Sequence, residues 1–365
     1  MGRTGRRGHG DDHHHRAVDR PEARSLRPAV DHPGPRAALS RPGGGAHRVD
    51  TDVLVIGAGL AGLAAARRMT AAGLTVRLLD KGRSVGGRLA TRRMSGAVVD
   101  HGAQFFTVRG ESLAAQVDDW TARDLVRVWC HGFDGSDGHP RMIGSRGMNS
   151  LAKDLAVGLD VHAPSMAVAT RFDDLGHWEV TTDDGSSHRA GVLLSTAPVA
   201  QSFSLLFESV DGLPRDLFDA DYDRTLGILL VLDSPSAVPP PGGLQNPTAE
   251  LSFVADNALK GISEIPALTV HAGPAWSLEH WDADAAIVEA ELSRLAAPFV
   301  GSAGVVEAQV KKWRFATPRR PWPEPCWVDE RTRAVLAGDA FAGPRFEGAW
   351  ESGLAAADAA VRLCR

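Results

Sequence analysis

The feature that most constrains this chain is a glycine-rich turn between an apolar run and a helix-forming segment. Residues 57–62 read GAGLAG, which fits the pattern G-x-G-x-x-G. The preceding Val53–Ile56 is rich in β-branched residues and predicts a buried parallel strand. Leu60–Ala72 favours a helix that Gly73 ends, and Thr75–Leu79 predicts the next strand. Together they predict a βαβ unit of a doubly wound α/β sheet.

Each position in this turn has a physical role in binding a dinucleotide. Gly57 permits the tight turn, Gly59 lets the backbone approach a pyrophosphate, and Gly62 lets the helix pack closely on the strand. The helix N-terminus offers unpaired N–H groups and a partial positive charge to the phosphates. Asp80 ends the second strand, where a carboxylate accepts hydrogen bonds from ribose hydroxyls.

Two further motifs favour FAD over NAD as the resident cofactor. Residues 83–88 read RSVGGR, and their G-G-R ending resembles that of the R-x-G-G-R that FAD families of the glutathione-reductase and amine-oxidase kind carry at this place. Gly87 brings backbone to the pyrophosphate, and Arg88 supplies charge-assisted bonds to phosphate. Near the C-terminus a strand ends in Gly338 and Asp339, and a helix follows from about Gly348. In the flavoproteins that these motifs resemble, the positive end of such a helix stabilises the anionic reduced flavin.

Several other segments resemble those of renalase and its bacterial relatives. They are DHGAQFFT at 100–107, GMNSLAK at 147–153, HAGPAWS at 271–277, KWRFA at 312–316, and GD at 338–339 with FEGAW at 346–350. The resemblance covers about residues 52–363. It implies an FAD-binding Rossmann-like domain of the p-hydroxybenzoate hydroxylase type, with an inserted α+β substrate domain that carries an antiparallel sheet.

The resemblance also implies an activity and a set of FAD contacts. The activity is oxidation of dihydro-NAD(P) isomers reduced at the wrong ring position, with oxygen as final acceptor and NAD(P)+ and hydrogen peroxide as products. Beyond the motif residues already named, the expected FAD contacts are Ala61, Lys81, Gly102, Ala103, Gln104, Phe105, Val168 and Ala349.

Residues expected on the substrate side are Gln104, Thr107, His271, Arg314 and Trp350. A structural role is an open alternative for His271, and a surface ion pair for Arg314. Trp313 fits core packing as well as substrate contact. Cys326 permits covalent flavin attachment in principle, but a buried inert thiol is the simpler interpretation.

The remaining elements complete a two-part organisation. Strand-like runs at 225–232, 251–255 and 268–271 predict a small antiparallel sheet, and Asp282 is expected to cap a helix. We assign 50–108, 146–200 and 304–365 to the FAD-binding domain and 109–145 and 201–303 to the substrate domain. Residues 86–108 and 134–144 are expected to be loops. A hairpin is predicted from 166–172 and 178–182.

Composition limits the partners and the compartment. Residues 1–49 carry ten arginines and five acids without a Phe, Trp or Tyr, which predicts a disordered extension. One hypothesis is that the native start lies later, with Val49 as a candidate. The whole chain has a net charge of −5, so the rest is acidic and nucleic acid is not an expected partner. With no membrane-length apolar run and only three cysteines, we expect a cytoplasmic monomer or homodimer.

The sequence leaves three functions open. The first is the renalase-type oxidase, whose partners are a small dihydropyridine substrate and oxygen. The second is an FAD-dependent amine oxidase or another small-molecule dehydrogenase, although the single tyrosine, Tyr222, cannot form a paired aromatic cage. The third is a flavin-binding protein without turnover. No His/Cys spacing typical of a metal site is present.

Overall fold

The computed structural model describes residues 49–133, 138–219 and 221–365. The predictions for residues 1–48, including the disordered extension, lie outside the described residues, as do Asp134 to Asp137 of the predicted loop. In chain order the elements are β1 (Thr51–Ile56), α1 (Leu60–Ala71), β2 (Val76–Leu79), β3 (Thr91–Met94), β4 (Ala97–Asp100), α2 (Glu111–Ala122), β5 (Val126–Cys130), β6 (Arg141–Gly144), α3 (Asn149–Ala156), β7 (Asp160–His162), β8 (Ala167–Phe172), β9 (Trp178–Thr182), β10 (Ser187–Ser195), α4 (Val199–Leu206), α5 (Arg215–Phe218), β11 (Tyr222–Leu232), β12 (Gly243–Gln245), β13 (Leu251–Asp256), β14 (Ala267–Ala272), α6 (Pro274–Glu279), α7 (Ala285–Val300), β15 (Val305–Pro318), β16 (Trp327–Asp329), β17 (Ala334–Leu336) and α8 (Phe346–Leu363).

The larger sheet is built on parallel strands in the order β17-β10-β1-β2-β7, with β16 antiparallel at one edge and the β8–β9 hairpin on β10. Because β1 is covered on both faces, its side chains alternate between two cores. Val53 and Val55 pack with α1, α3 and α8, whereas Leu54 and Ile56 pack with α4. The α/β prediction and the first βαβ unit are confirmed.

The smaller sheet has the order β12-β13-β14-β11-β15 and is antiparallel throughout. Leu226, Ile228 and Leu230 of β11 face α7. Leu229 and Val231 face the β3–β4 hairpin. The hairpin therefore covers one face of the smaller sheet, and α7 covers the other.

The structure corrects several sequence-based expectations. The predicted loop at 86–108 contains the β3–β4 hairpin, and the loop expected at 134–144 contains β6, which pairs with β5. Both were missed because their strands are only four residues long and mostly polar or lie beside glycine. The cap of α7 is Asp284, which accepts a hydrogen bond from Ala286 N at 2.8 Å, rather than Asp282.

Strand pairing and helix packing also bear on which residues belong to each of the two predicted domains. Residues 304–318 were grouped with the FAD-binding domain, but β15 pairs with β11 along its length and lies in the smaller sheet. Helix α2, grouped with the substrate domain, buries Leu113, Val117 and Trp120 in the same core as α1 and α8. Strand pairing and helix packing between residues far apart in the chain decide both assignments. The local sequence pattern gives no sign of these contacts.

Helices α1 and α8 cross at a point where only glycine fits. A Cβ added at Gly353 would lie 2.4 Å from the Ala61 carbonyl oxygen. We expect Gly353→Ala to lower the free energy of unfolding by about 1–3 kcal/mol, as overpacking of a core does. Chemical denaturation measures this loss. The control is Gly191→Ala, whose Cβ would come no closer than 3.4 Å to Asp52 O; equal effects of the two substitutions would contradict the packing argument.

Candidate functional site

A cleft of about 1800 Å³ opens at the carboxyl ends of the parallel strands and reaches the smaller sheet. Ile56, Leu79 and Gly338 border it from the larger sheet, and His271 and Trp313 from the smaller one. Ligands of open α/β sheets bind at this edge. A pocket for one ligand occupies about 300–1,000 Å³, so this cleft has room for a dinucleotide cofactor and a second molecule.

The glycine turn after β1 forms one end of the cleft. Gly57 has a φ of +103°, and a Cβ there would lie 2.6 Å from Thr196 Oγ1. A Cβ on Gly62 would lie 2.0 Å from the Gly57 carbonyl oxygen, so this glycine brings helix and strand together. By contrast, a Cβ on Gly59 would meet no atom within 4 Å. The turn therefore leaves open space over Gly59, where the predicted pyrophosphate would lie.

Asp80 holds this turn in place from the end of β2. Its Oδ2 accepts a hydrogen bond from Ala58 N at 2.7 Å, and its Oδ1 accepts one from Gly82 N at 2.7 Å. The carboxylate also borders the cleft. Since each carboxylate oxygen can accept more than one hydrogen bond, Asp80 remains able to accept from a ribose.

A second glycine turn packs against the first. Gly86 and Gly87 have φ values of +110° and +51°, and Gly86 N donates to the Ala58 carbonyl oxygen at 2.8 Å. Arg88 follows and makes a bidentate ion pair with Asp339, with both N–O distances at 2.5 Å. The structure thus brings together two residues that the sequence assigned separately to the cofactor, and it pairs them with each other.

The last helix begins at the same cleft. Phe346, Glu347 and Ala349 of the first turn of α8 border it, as do Gly59 and Ala61 at the start of α1. The partial positive charges of two helix N-termini therefore meet in one cleft. Gly338 has a φ of +131°, and its N–H donates to Ser352 Oγ at 2.9 Å, which fixes the strand end to α8.

On the opposite side, two histidines and a tryptophan form the wall. His101 stacks on Trp313 with ring centroids 5.4 Å apart. The His101 carbonyl oxygen accepts a hydrogen bond from Trp313 Nε1 at 2.8 Å and from His271 Nε2 at 3.1 Å. Burial lowers the pKa of both imidazoles to about 4. Both rings are therefore neutral at pH 7, and neither serves as a general acid there.

A buried ion pair beneath this wall was not foreseen from the sequence. Lys260 and Asp100 are both inaccessible to solvent, and Lys260 Nζ lies 2.8 Å from Asp100 Oδ2. The same carboxylate accepts hydrogen bonds from Thr91 Oγ1 and Met148 N. Burial lowers the pKa of Lys260, and the charge of Asp100 opposes this shift. The residues around Lys260 form no motif, so the sequence gives no sign that this lysine pairs with Asp100.

Most of the predicted cofactor residues border the cleft, but not all. Those that do are Gly57, Gly59, Ala61, Asp80, Lys81, Gly87, Arg88, Gly102, Ala103, Phe105, Val168, Gly338, Asp339 and Ala349. Gly62 and Gly348 lie behind the surface, since a Cβ on either would meet a backbone oxygen at 2.0 or 2.2 Å. Both glycines therefore permit close backbone packing.

Some of the predicted substrate-side residues border the cleft, and others lie behind it. Thr107, His271 and Arg314 border the cleft. Gln104 does not, because its amide donates to the carbonyl oxygens of Asp100 and Gly102 from a buried position. Trp350 is buried against Trp120, with ring centroids 6.2 Å apart. Gln104 and Trp350 thus lie in the packing behind the wall, outside the lining of the cleft.

Comparison with known proteins agrees with this geometry. Residues 55–120 match the model of the NAD(P)-binding Rossmann-like domain. A segment of 71 residues is 42% identical to putrescine oxidase of Kocuria rosea, covering 20% of this chain and 15% of that protein. A segment of 57 residues is 46% identical to hydroxyneurosporene desaturase of Rubrivivax gelatinosus, covering 16% of this chain and 11% of that protein. The segments shared with these relatives are thus a small part of either protein.

The likeness in structure extends over the whole fold. Cyclohexylamine oxidase from Brevibacterium oxydans superposes with a TM-score of 0.65 at 14% identity, covering 87% of this chain and all of that one. The protein therefore has the fold of the FAD-dependent amine oxidases. The two glycine turns and the Gly-Asp strand end, which the sequence assigns to FAD, all border the cleft of this fold. No helix within residues 49–133, 138–219 and 221–365 is long and apolar enough to cross a membrane.

The open space over Gly59 gives a test of the cofactor site. Valine fits at this position in the protein itself, because Gly59 has a φ of −77° and free space around its Cβ position. We expect Gly59→Val to abolish flavin binding while leaving unfolding of the flavin-free protein unchanged. Visible absorbance and chemical denaturation measure the two properties. Gly273→Val outside the cleft is the control; a Gly59→Val protein that retains its flavin would show that the turn is not the pyrophosphate site.

The buried ion pair gives a test of the wall. Removing one partner leaves a buried charge, which costs about 3–5 kcal/mol. We therefore expect Lys260→Met to lower the free energy of unfolding by about that amount, and the double variant Lys260→Met/Asp100→Asn to recover part of the loss. Lys153→Met on the exposed face of α3 is the control for loss of a lysine. A double variant as unstable as the sum of its single variants would contradict the coupling.

Proposed function

We propose that this protein is an FAD-dependent oxidase of the renalase type, which takes a hydride from an isomeric dihydro-NAD(P) and passes the electrons to oxygen. The observation that carries this proposal is the charge of the cleft. Its basic lining residues are Lys81, Arg83, Arg88, Arg92, Arg93, Arg109, Arg141, Lys153, Lys312, Arg314 and Arg345. Its acidic lining residues are Asp80, Asp339 and Glu347.

The three acids are already engaged. Asp80 accepts from backbone N–H groups, Asp339 pairs with Arg88, and Glu347 accepts from Arg109 N at 2.9 Å and Gly110 N at 2.5 Å. The field in the cleft is therefore positive although the whole chain carries a net charge of −5. Such a cleft concentrates anions and repels cations. A dinucleotide fits this field, and a protonated amine does not.

The aromatic groups of the cleft favour the same substrate. Tyr222 does not border the cleft; its ring packs edge-on against Phe315, and its hydroxyl accepts a hydrogen bond from Val199 N at 3.2 Å. The protein therefore lacks a tyrosine for an amine-binding cage within the cleft lining. Trp313 and Phe105 offer aromatic surface for stacking on a nicotinamide.

The chain's own residues have a limited chemical task in this reaction. Bound FAD supplies the hydride acceptor and the route to oxygen. Loss of hydride restores aromaticity to the substrate ring, so no side chain needs to remove a proton. The protein orients the ring and excludes water. The neutral His101 and His271 suit this role, since a protonated imidazole would repel the pyridinium product.

Anaerobic reduction of the flavin tests the proposal. We expect isomeric dihydronicotinamides, made by borohydride reduction of NAD+ and NADP+, to bleach the visible flavin absorbance within seconds, and putrescine and cyclohexylamine to leave it unchanged. Admitting oxygen should then restore the colour and yield one hydrogen peroxide per substrate. Bleaching by the amines alone would establish an amine oxidase instead, and a flavin that neither class reduces would support a non-catalytic flavoprotein.

A further inference from the structure

A row of side chains crosses the smaller sheet beside the cleft, which His271 of this row borders. Gly227 of β11 pairs with His271 of β14 on one side and with Lys311 of β15 on the other. Residues directly opposite in an antiparallel sheet point to the same face. A Cβ on Gly227 would lie 2.9 Å from His271 Cδ2, so the glycine leaves this position open. His271 and Lys311 therefore flank a gap on one face of the sheet.

The β3–β4 hairpin adds an arginine to the same place. Met94 on β3 packs against Leu229 and Val231 of the smaller sheet. Side chains two residues apart on a strand share a face, so Arg92 lies on the face that Met94 buries. The pKa of Lys311 is lowered by burial and then by the charge of Arg92, and the pKa of His101 is lowered by burial and then by Lys311, His271 and Arg92.

This cluster of Arg92, His101, His271 and Lys311 has no acid to balance it. Within residues 49–133, 138–219 and 221–365, neither Arg92 nor Lys311 forms an ion pair, and no acid appears among the charges that act on His101. Asp100, which precedes His101 in the sequence, is bound to Lys260. In addition, His101 Nδ1 is buried without a hydrogen-bond partner. Natural structures rarely leave such an atom unsatisfied, so it indicates a missing partner.

We propose that Arg92 and Lys311, with His101 and His271 beside them, form an oxyanion subsite that binds a phosphate of the substrate. The proposal rests on the proposed function in that the phosphate belongs to the dinucleotide whose ring is oxidised. Phosphate satisfies the cluster because it carries the missing negative charge and several acceptor oxygens. The position suits a substrate rather than the cofactor, since the subsite lies between the smaller sheet and the β3–β4 hairpin, whereas the FAD phosphates belong at the glycine turns of the larger sheet.

The stack of His101 on Trp313 connects the subsite to the reaction. Arg92, His101, His271 and Trp313 all border the cleft. A dinucleotide anchored by phosphate here has its nicotinamide within reach of the Trp313 ring and of the flavin end of the cleft. The subsite therefore supplies binding energy remote from the reacting atoms, which orients the ring for hydride transfer.

Binding of inorganic pyrophosphate to the flavin-loaded protein tests the subsite without turnover. We expect titration calorimetry to show binding that weakens with added KCl, as for an exposed ionic site. Arg92→Gln should weaken this binding at least tenfold, and Lys311→Met should do the same. Arg92→Lys should retain most of it. Arg294→Gln, on α7 outside the cleft, is the control for loss of an arginine. Equal affinity in the wild type and in flavin-loaded Arg92→Gln would overturn the subsite, as would no binding to the wild type.

Steady-state kinetics then separate the subsite from the proposed function. With isomeric dihydro-NAD as substrate, Arg92→Gln should raise KM at least tenfold and leave kcat within about twofold, because the lost contact is remote from the ring. An unchanged KM would overturn the subsite while leaving the function intact. If no isomer reduces the flavin but pyrophosphate binding still requires Arg92, the function fails while the oxyanion subsite stands for another phosphate-bearing ligand.

Discussion

The buried ion pair between Lys260 and Asp100 is the constraint on which the rest of the site depends. Asp100 ends β4, and its carboxylate holds Lys260, Thr91 and Met148, while its carbonyl oxygen accepts from Gln104 Nε2 at 2.9 Å and Thr269 Oγ1 at 2.6 Å. One residue thus ties together the hairpin, α3, the loop after β4 and the smaller sheet. Because a buried charge without its partner is so costly, these elements stay in one arrangement.

This arrangement fixes the cleft wall. The loop that follows Asp100 carries His101, Gly102, Ala103 and Phe105, all of which border the cleft. A Cβ on Gly102 would lie 1.9 Å from the Arg88 carbonyl oxygen, so the loop also runs directly against the second glycine turn. The ion pair under the loop and the glycine turn beside it therefore position the cofactor side and the substrate side relative to each other.

The net charge of the cleft depends on which charged side chains have partners within the protein. Three acids border the cleft without making it negative. Asp80 and Glu347 accept hydrogen bonds from backbone N–H groups, and Asp339 forms an ion pair with Arg88. Arg92 and Lys311, in contrast, lie beside each other without an acid among the described residues. Like charges held together raise the free energy of the empty cleft, and an anionic ligand lowers it. The positive charge of the cleft is therefore a property of the folded structure rather than of the acidic chain.

The sequence by itself determined the nucleotide end of this protein. The glycine positions, the strand before them, Asp80 and the Gly-Asp strand end are local patterns, because tight turns and close backbone approaches require particular residues at fixed spacings. The substrate end was decided by the tertiary structure. The side of a sheet on which Lys311 lies, the partner of Lys260, and the burial of Gln104 and Trp350 all depend on strand register and packing between residues far apart in the chain. Such contacts have no local signal, since their free energy arises only when the chain has folded.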